Sequence, residues 1–294
     1  MLIARLIAEA DSLGTRIDQA RSALGDAGIS VAGAAMLDHC GDVLQMEMTD
    51  GSREQAAAIL SQQFPGADLL VADHVIETPR LFVSDMDSTM IGQECIDELA
   101  DFAGLKDEVS MITERAMRGE LNFETALRER VGLLEGLGER AIDNCLADRI
   151  RPVAGARTLV ATLKDRGCRC VLVTGGFHHF ADRVAQDLAF DRVVGNRLAV
   201  AKGRLTGRLA GPISDASTKL GTLEEERGRL GEGARILAMG DGANDIPMIA
   251  AADYGIAYRA KPAARAAASG YIVSEDLTVV LKLLGIAQNE WAMG

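Results

Sequence analysis

No run in the 294-residue chain approaches the roughly 20 consecutive apolar residues of a membrane-spanning helix, so a helical membrane protein is not expected. The opening residues 1–10 are apolar but meet Asp11 at once and carry no cleavage-site pattern, which argues against a secretory leader. Positive charge is outnumbered, 31 Lys and Arg against 43 Asp and Glu. A formal net charge of -12 would repel a nucleic-acid backbone or an anionic membrane, which excludes either as the main partner. A small anionic substrate stays open, because basic side chains and a bound cation can locally overrule the field of the whole chain. A disulfide framework is missing as well: Cys40, Cys95, Cys145, Cys168 and Cys170 are an odd, scattered set, the pattern of a reducing compartment such as the cytoplasm. Cys168 and Cys170 flank Arg169 at the start of an apolar run, so alternation puts both on one strand face as buried thiols rather than metal ligands. The chain has no internal repeat and no low-complexity segment.

What is present is a globular composition, 48% apolar and 25% charged, at a length that suits two or three cores. Residues 1–78 read as a small α+β unit. A strand over 2–7 and a helix over 12–27 precede strand-like runs over 29–37 and 42–48, broken at Gly41. Ser52 can cap a helix over 53–63 that closes at Phe64-Pro65-Gly66, and a strand over 67–75 follows. The order βαββαβ predicts a ferredoxin-like sheet and resembles ACT-type amino-acid-binding domains in topology, with no ligand signature. Thr78-Pro79 marks the boundary.

Beyond it, residues 81–84, 169–173 and 235–239 are short apolar runs ending in polar or glycine-rich turns, as suits parallel strands buried on both faces. Helical segments over 154–166, 180–188, 218–229 and 246–252 separate them. A doubly wound α/β sheet is the expected fold, formed by residues 79–92 and 151–294, with sites at the carboxyl ends of its strands. Residues 93–150 show only helical patterning and predict a cap inserted at that edge. Residues 192–209, with Lys202-Gly203 central, read as a β-hairpin flap.

Three strand ends carry chemistry. Leu81-Phe82-Val83-Ser84 runs into Asp85-Met86-Asp87-Ser88-Thr89, and two acids so close favour a hard, oxygen-loving cation. A turn with solvated acids would explain the same pair. Val171-Leu172-Val173 ends in Thr174-Gly175-Gly176, where a hydroxyl and exposed backbone N–H groups can meet an anion, although an ordinary strand-to-helix turn reads the same way. Leu237-Ala238-Met239-Gly240 delivers Asp241 and Asp245 into a loosened loop, which turn chemistry alone also allows. The weight lies in three such ends at one sheet edge.

With this order and spacing, residues 80 to about 285 resemble the haloacid dehalogenase superfamily of phosphotransferases. The resemblance implies Asp85 as nucleophile and Asp87 as general acid and base. It implies Mg²⁺ on Asp85, the backbone carbonyl of Asp87 and Asp241, with Asp245 in support. Lys219 matches the phosphate-contacting lysine, and Thr174 with N–H groups near Gly175 and Gly176 would orient the phosphoryl oxygens.

Phe123, Leu127, Arg130 and Leu134 form one helical stripe, where a guanidinium is costly unless it meets an anion; a snorkelling or ion-paired arginine is the plainer reading. Glu94 could accept an ammonium group or be one of several solvated acids with Asp97, Glu98 and Asp101. Ile91-Gly92-Gln93-Glu94, Leu121-Asn122-Phe123-Glu124 and Leu127-Arg128-Glu129-Arg130-Val131 extend the resemblance to phosphoserine phosphatases, which close serine biosynthesis. By that resemblance Glu94 binds the serine ammonium, Arg130 its carboxylate and Asn244 assists near the phosphate, while Met117 and Phe123 line the closed cap. Thr174 departs from the family's more usual serine. A phosphotransferase acting on another hydroxyl amino acid such as homoserine shares every motif. A serine-sensing module built on residues 1–78 is an alternative of another class. Homodimerisation stays open.

Overall fold

The structure is a computed structural model, and it describes residues 1–7, 13–118 and 120–293. The N-terminal unit comprises β1 (Leu2–Ile7), α1 (Leu13–Asp26), β2 (Ser30–Leu37), β3 (Cys40–Thr49), α2 (Arg53–Gln63) and β4 (Asp68–Ala72). The expected helix start at Ser12 lies outside the described residues. Ser52 caps α2 by accepting the Gln55 N–H at 3.1 Å. The β2–β3 turn falls at Asp38-His39 rather than at Gly41, because Leu37 pairs directly with Cys40. β4 stops at Ala72, opposite Ile3 at the start of β1, so residues 73–75 have no strand to continue against.

β5 (Leu81–Ser84) opens the core. It is followed by α3 (Cys95–Phe102), α4 (Lys106–Met117), α5 (Phe123–Leu133) and α6 (Arg140–Arg149). After them come α7 (Ala156–Asp165), β6 (Arg169–Phe177), α8 (His178–Leu188), β7 (Arg192–Asn196), β8 (Leu198–Ala201), β9 (Arg204–Leu209) and α9 (Ala216–Leu230). The chain closes with β10 (Ile236–Gly240), α10 (Ile246–Ala251), β11 (Tyr254–Tyr258), α11 (Pro262–Ala267), β12 (Gly270–Ile272) and α12 (Thr278–Leu283). Among the described residues no helix is long and apolar enough to cross a membrane.

Among the described residues, ten strands form one sheet in the order β2-β3-β1-β4-β12-β11-β10-β5-β6-β7. From β12 to β7 every pair is parallel, and every residue of β5, β10 and β11 is buried, which is why those strands read as continuous apolar runs. β4 joins β12 antiparallel through Leu69–Tyr271 and Leu70–Gly270, so the ferredoxin-like sheet continues into the core sheet. Gly270 is required there, since a Cβ would sit 2.4 Å from the Leu69 carbonyl oxygen. Buried Asp68 locks the junction, accepting the N–H groups of Val273 and Ser274 at 2.8 and 3.1 Å and the Ser274 hydroxyl at 2.5 Å.

The flap is shorter than the sequence pattern suggests. Residues 192–196 form β7, an edge strand whose Val193 and Val194 pair in register with Leu172 and Val173 of β6; only β8 and β9 make the hairpin. That hairpin grips the cap: Leu205 donates its N–H to Leu137 at 2.8 Å and accepts that of Gly136 at 2.9 Å. The cap rejoins the core at a narrow hinge, where Ile91 bridges Pro152 and Val153 donates to the Met90 carbonyl at 2.9 Å.

Candidate active site

β5, β6 and β10 lie side by side and end at one edge, so their terminal loops converge. Asp85 continues the β5 ladder for one residue, donating its N–H to the Met239 carbonyl at 2.9 Å, and the residue is 5% exposed. Fully buried Lys219, near the start of α9, brings Nζ to 2.7 Å from Asp85 Oδ1 and 2.7 Å from Asp245 Oδ1. Burial works against the Lys219 charge, but these two carboxylates outweigh it and raise its pKa above the ordinary lysine value. Burial pushes Asp85 well above the usual carboxylate range, with Lys219 opposing and Asp245 and Asp87 adding to the rise.

Asp87 faces the middle loop. Its Oδ1 accepts the Cys95 N–H at 3.0 Å and its Oδ2 the Thr174 hydroxyl at 3.3 Å; burial raises its pKa. Thr174 Oγ1 also accepts the Gly176 N–H at 2.8 Å. No side chain fits at Gly176, where a Cβ would fall 2.6 Å from Asp87 Oδ2. Rather than ending at Val173, β6 carries the Thr174-Gly175-Gly176 segment within its length, with a register shift before Phe177. Buried Asn196 and Ser214 hold it, Asn196 Nδ2 donating to the Gly175 carbonyl at 2.7 Å and Ser214 Oγ to the Thr174 carbonyl at 2.9 Å. Neither was visible in the sequence, because a strand end and a loop residue meet here without a motif.

These loops and the cap enclose a cavity of about 340 Å³. Asp85, Asp87, Thr174, Gly175, Gly176, Asp241 and Asn244 line it from the core, and Glu94, Phe123 and Arg130 from the cap side. The ring of Phe123, 40% exposed, overhangs Gly175, where an added Cβ would stand 3.4 Å from Phe123 Cζ. Glu94 Oε1 accepts the Ser88 hydroxyl at 2.6 Å, and burial followed by the Asp87 charge pushes its carboxyl up to about 7. The side chain of Met117 lies outside the described residues. Asp97, weighed in the sequence as a solvated acid, and Lys261, in a motif-free loop after β11, also line the cavity.

The acidic cluster suits a metal ion. One carboxylate oxygen each from Asp85, Asp241 and Asp245 lies within 4.8 Å of the others. Asp85 Oδ1 is buried beside Lys219 without an aligned hydrogen bond, and an all-oxygen, multiply negative donor set fits a hard cation. Thr89 Oγ1 steadies Asp241 Oδ1 at 3.3 Å, and Gly242 N–H steadies Asp245 Oδ2 at 3.0 Å.

Residues 82–250 match the family model of haloacid dehalogenase-like hydrolases, and residues 231–284 match a second model of the same description. The chain belongs to the haloacid dehalogenase-like hydrolases. Among curated relatives of this hydrolase, a phosphoserine phosphatase of Archaeoglobus fulgidus is 46% identical over 206 residues, 70% of this chain; the chain spans 60% of that relative's own length. A solved haloacid dehalogenase-family hydrolase of Salmonella enterica serovar Typhi superposes with a TM-score of 0.81 at 26% identity, covering 97% of this chain and 99% of that one. A structure described as a phospho-aspartyl intermediate analogue of phosphoserine phosphatase superposes with a TM-score of 0.64 at 38% identity, covering 70% of this chain and 99% of that one. The fold of this hydrolase is therefore shared along nearly its full length.

Proposed function

We propose that the chain is a magnesium-dependent phosphatase that hydrolyses O-phospho-L-serine to serine and phosphate. The observation that carries this reading is one cavity lined by Asp85, Asp87 and Thr174, which suit a phosphoryl group, and by Glu94 and Arg130, whose opposite charges suit an ammonium and a carboxylate. The archaeal relative's name supports the substrate, and the phospho-aspartyl analogue supports the covalent route.

Asp85 and Asp241, with the backbone carbonyl of Asp87 and support from Asp245, would hold Mg²⁺, which would screen the negative charge shared by Asp85 and the phosphate. Asp85 attacks phosphorus as the bond to the serine oxygen breaks, and Asp87, protonated at the start as its raised pKa favours, gives that oxygen its proton. Asp87, now a carboxylate, takes a proton from water as the water oxygen attacks phosphorus and releases Asp85 and phosphate. Lys219 neutralises Asp85, and Thr174 with the Gly175 and Gly176 N–H groups orients the phosphoryl oxygens. Arg130 and Glu94 fix the amino-acid end, Asn244 assists beside the phosphate, and Phe123 covers the site.

The relatives favour hydrolysis over transfer to homoserine and over serine sensing by residues 1–78. We place the reaction in the cytoplasm, as the last step of serine synthesis; five free, buried cysteines are consistent with a reducing compartment. Homodimerisation is proposed for test by light scattering. A phosphate-release panel of small phosphomonoesters with Mg²⁺ and a chelator control tests the function. O-phospho-L-serine should be fastest and the chelator should stop release; faster turnover of a sugar phosphate would contradict the assignment.

A further inference from the structure

Asp97 stands out among the cavity residues that the mechanism does not use. It lines the cavity with Glu94 and Arg130, and its Oδ1 is buried with no hydrogen-bond donor among the described residues. A buried carboxylate oxygen without a donor is costly, and native structures rarely leave one so unless a ligand or ion supplies the partner.

The surroundings say which partner fits. Glu94 is the N-cap of α3 and Asp97 lies in its first turn, three residues on, where helical spacing makes the two neighbours. Arg130 is close enough to act on the Asp97 charge, yet it donates its Nε–H to the Ala126 carbonyl at 3.4 Å. Glu94 Oε1 is already engaged by the Ser88 hydroxyl at 2.6 Å. Ser88 has a left-handed backbone, φ 53°, unusual for a residue with a side chain, which turns its hydroxyl toward Glu94. An alkylammonium carries three N–H donors, and one partly engaged carboxylate cannot take them all.

We infer that Asp97 is a second acceptor for the substrate's ammonium group, so that Glu94 and Asp97 together select phosphomonoesters bearing a primary amine. This rests on the amino-acid reading of the cavity given above. Arg130 then remains free for the substrate carboxylate, and the donor-less oxygen gains its partner only when an amine is bound. Burial raises the Asp97 pKa against the pull of Arg130, as expected for a carboxylate awaiting a cation.

The test pairs a variant with a substrate change. Asp97→Asn keeps the shape and removes the charge. kcat/KM is measured with Mg²⁺ for O-phospho-L-serine and for 3-phosphooxypropanoate, which keeps the phosphate and carboxylate at the same spacing but has no amine. The substitution should lower the value for phosphoserine about tenfold more than that for 3-phosphooxypropanoate, the worth of one charged hydrogen bond. Equal losses on both substrates overturn the inference and make Asp97 a positioning residue for Arg130. Calorimetric binding of L-serine and 3-hydroxypropanoate gives a second reading without turnover, with the loss on substitution expected for serine alone. A wild-type protein that does not prefer phosphoserine to 3-phosphooxypropanoate removes the amino-acid reading itself, and the Asp97 assignment with it.

Discussion

Lys219 Nζ stands 2.7 Å from Asp85 and 2.7 Å from Asp245, so one fully buried ammonium joins the end of β5 to the loop after β10. That contact fixes how two of the three convergent loops approach each other. It also makes the proposed nucleophile dependent on a residue far away in sequence.

Lys219→Met should therefore cost both stability and turnover. Removing the cation leaves two buried carboxylates facing each other, a loss of about 3–5 kcal/mol from the metal-free protein. Phosphate release should fall about 10²-fold or more. Thermal melting with and without Mg²⁺, alongside kinetics, checks both; unchanged melting would contradict the buried ion pair.

Gly176→Ala places a methyl 2.6 Å from Asp87 Oδ2 and must displace either the loop or the carboxylate. Turnover should drop about 100-fold, because displacement of catalytic groups by an ångström is that costly. The melting temperature should change little by comparison.

Thr174→Ser should retain most activity, and Thr174→Ala should lose far more. The hydroxyl touches Asp87 and Gly176, whereas the methyl Cγ2 covers Gly195, at 3.1 Å from where a Cβ would stand there. The serine variant leaves a methyl-sized void, so its stability should fall by about 1 kcal/mol. Steady-state kinetics and denaturant melts separate the two effects.

Much of this candidate site was legible in the sequence because strands buried on both faces read as apolar runs, and the polar residues that stop them are the ones that line the cavity. β5 lies where the pattern of residues 81–84 placed it, and the Asp85, Thr174 and Asp241 segments meet at one edge. Long-range pairing was not legible. The Leu69–Tyr271 junction leaves no local trace in either segment, so no pattern announces the fusion of the two sheets. β7 reads as part of the hairpin because Arg197 alone separates it from β8, and only pairing with β6 tells the two apart. Asn196 and Ser214 act by holding backbone carbonyls, a role that any loop asparagine or serine could fill on sequence alone.

Glu226 supplies the pH prediction. Buried on α9, it accepts from Arg169 at 2.5 Å, Arg192 at 2.6 Å and Arg229 at 2.7 Å. Burial alone would raise its pKa, but the arginines prevail and hold it below the ordinary 4.5. A lowered folded-state pKa means that its stabilisation is present above 4.5 and is lost as pH falls through the folded value. Glu226→Gln should thus melt several degrees below the wild type at neutral pH, with the gap closing in acid. A gap independent of pH would contradict the linkage.

Asp68→Ala removes three hydrogen bonds between β4 and the two residues that follow β12 and should destabilise the chain by about 2–4 kcal/mol. Turnover at low temperature should stay close to wild type, since the junction lies away from the cavity. Melting followed by tryptophan fluorescence and by activity measures the two separately.

The most direct measurement is rapid acid quenching of the Mg²⁺-loaded protein during turnover of O-phospho-L-serine, with mass spectrometry of its peptides. A phosphoryl group on the peptide carrying Asp85, absent from Asp85→Asn together with phosphate release, is the predicted result. Undiminished phosphate release by Asp85→Asn would contradict it.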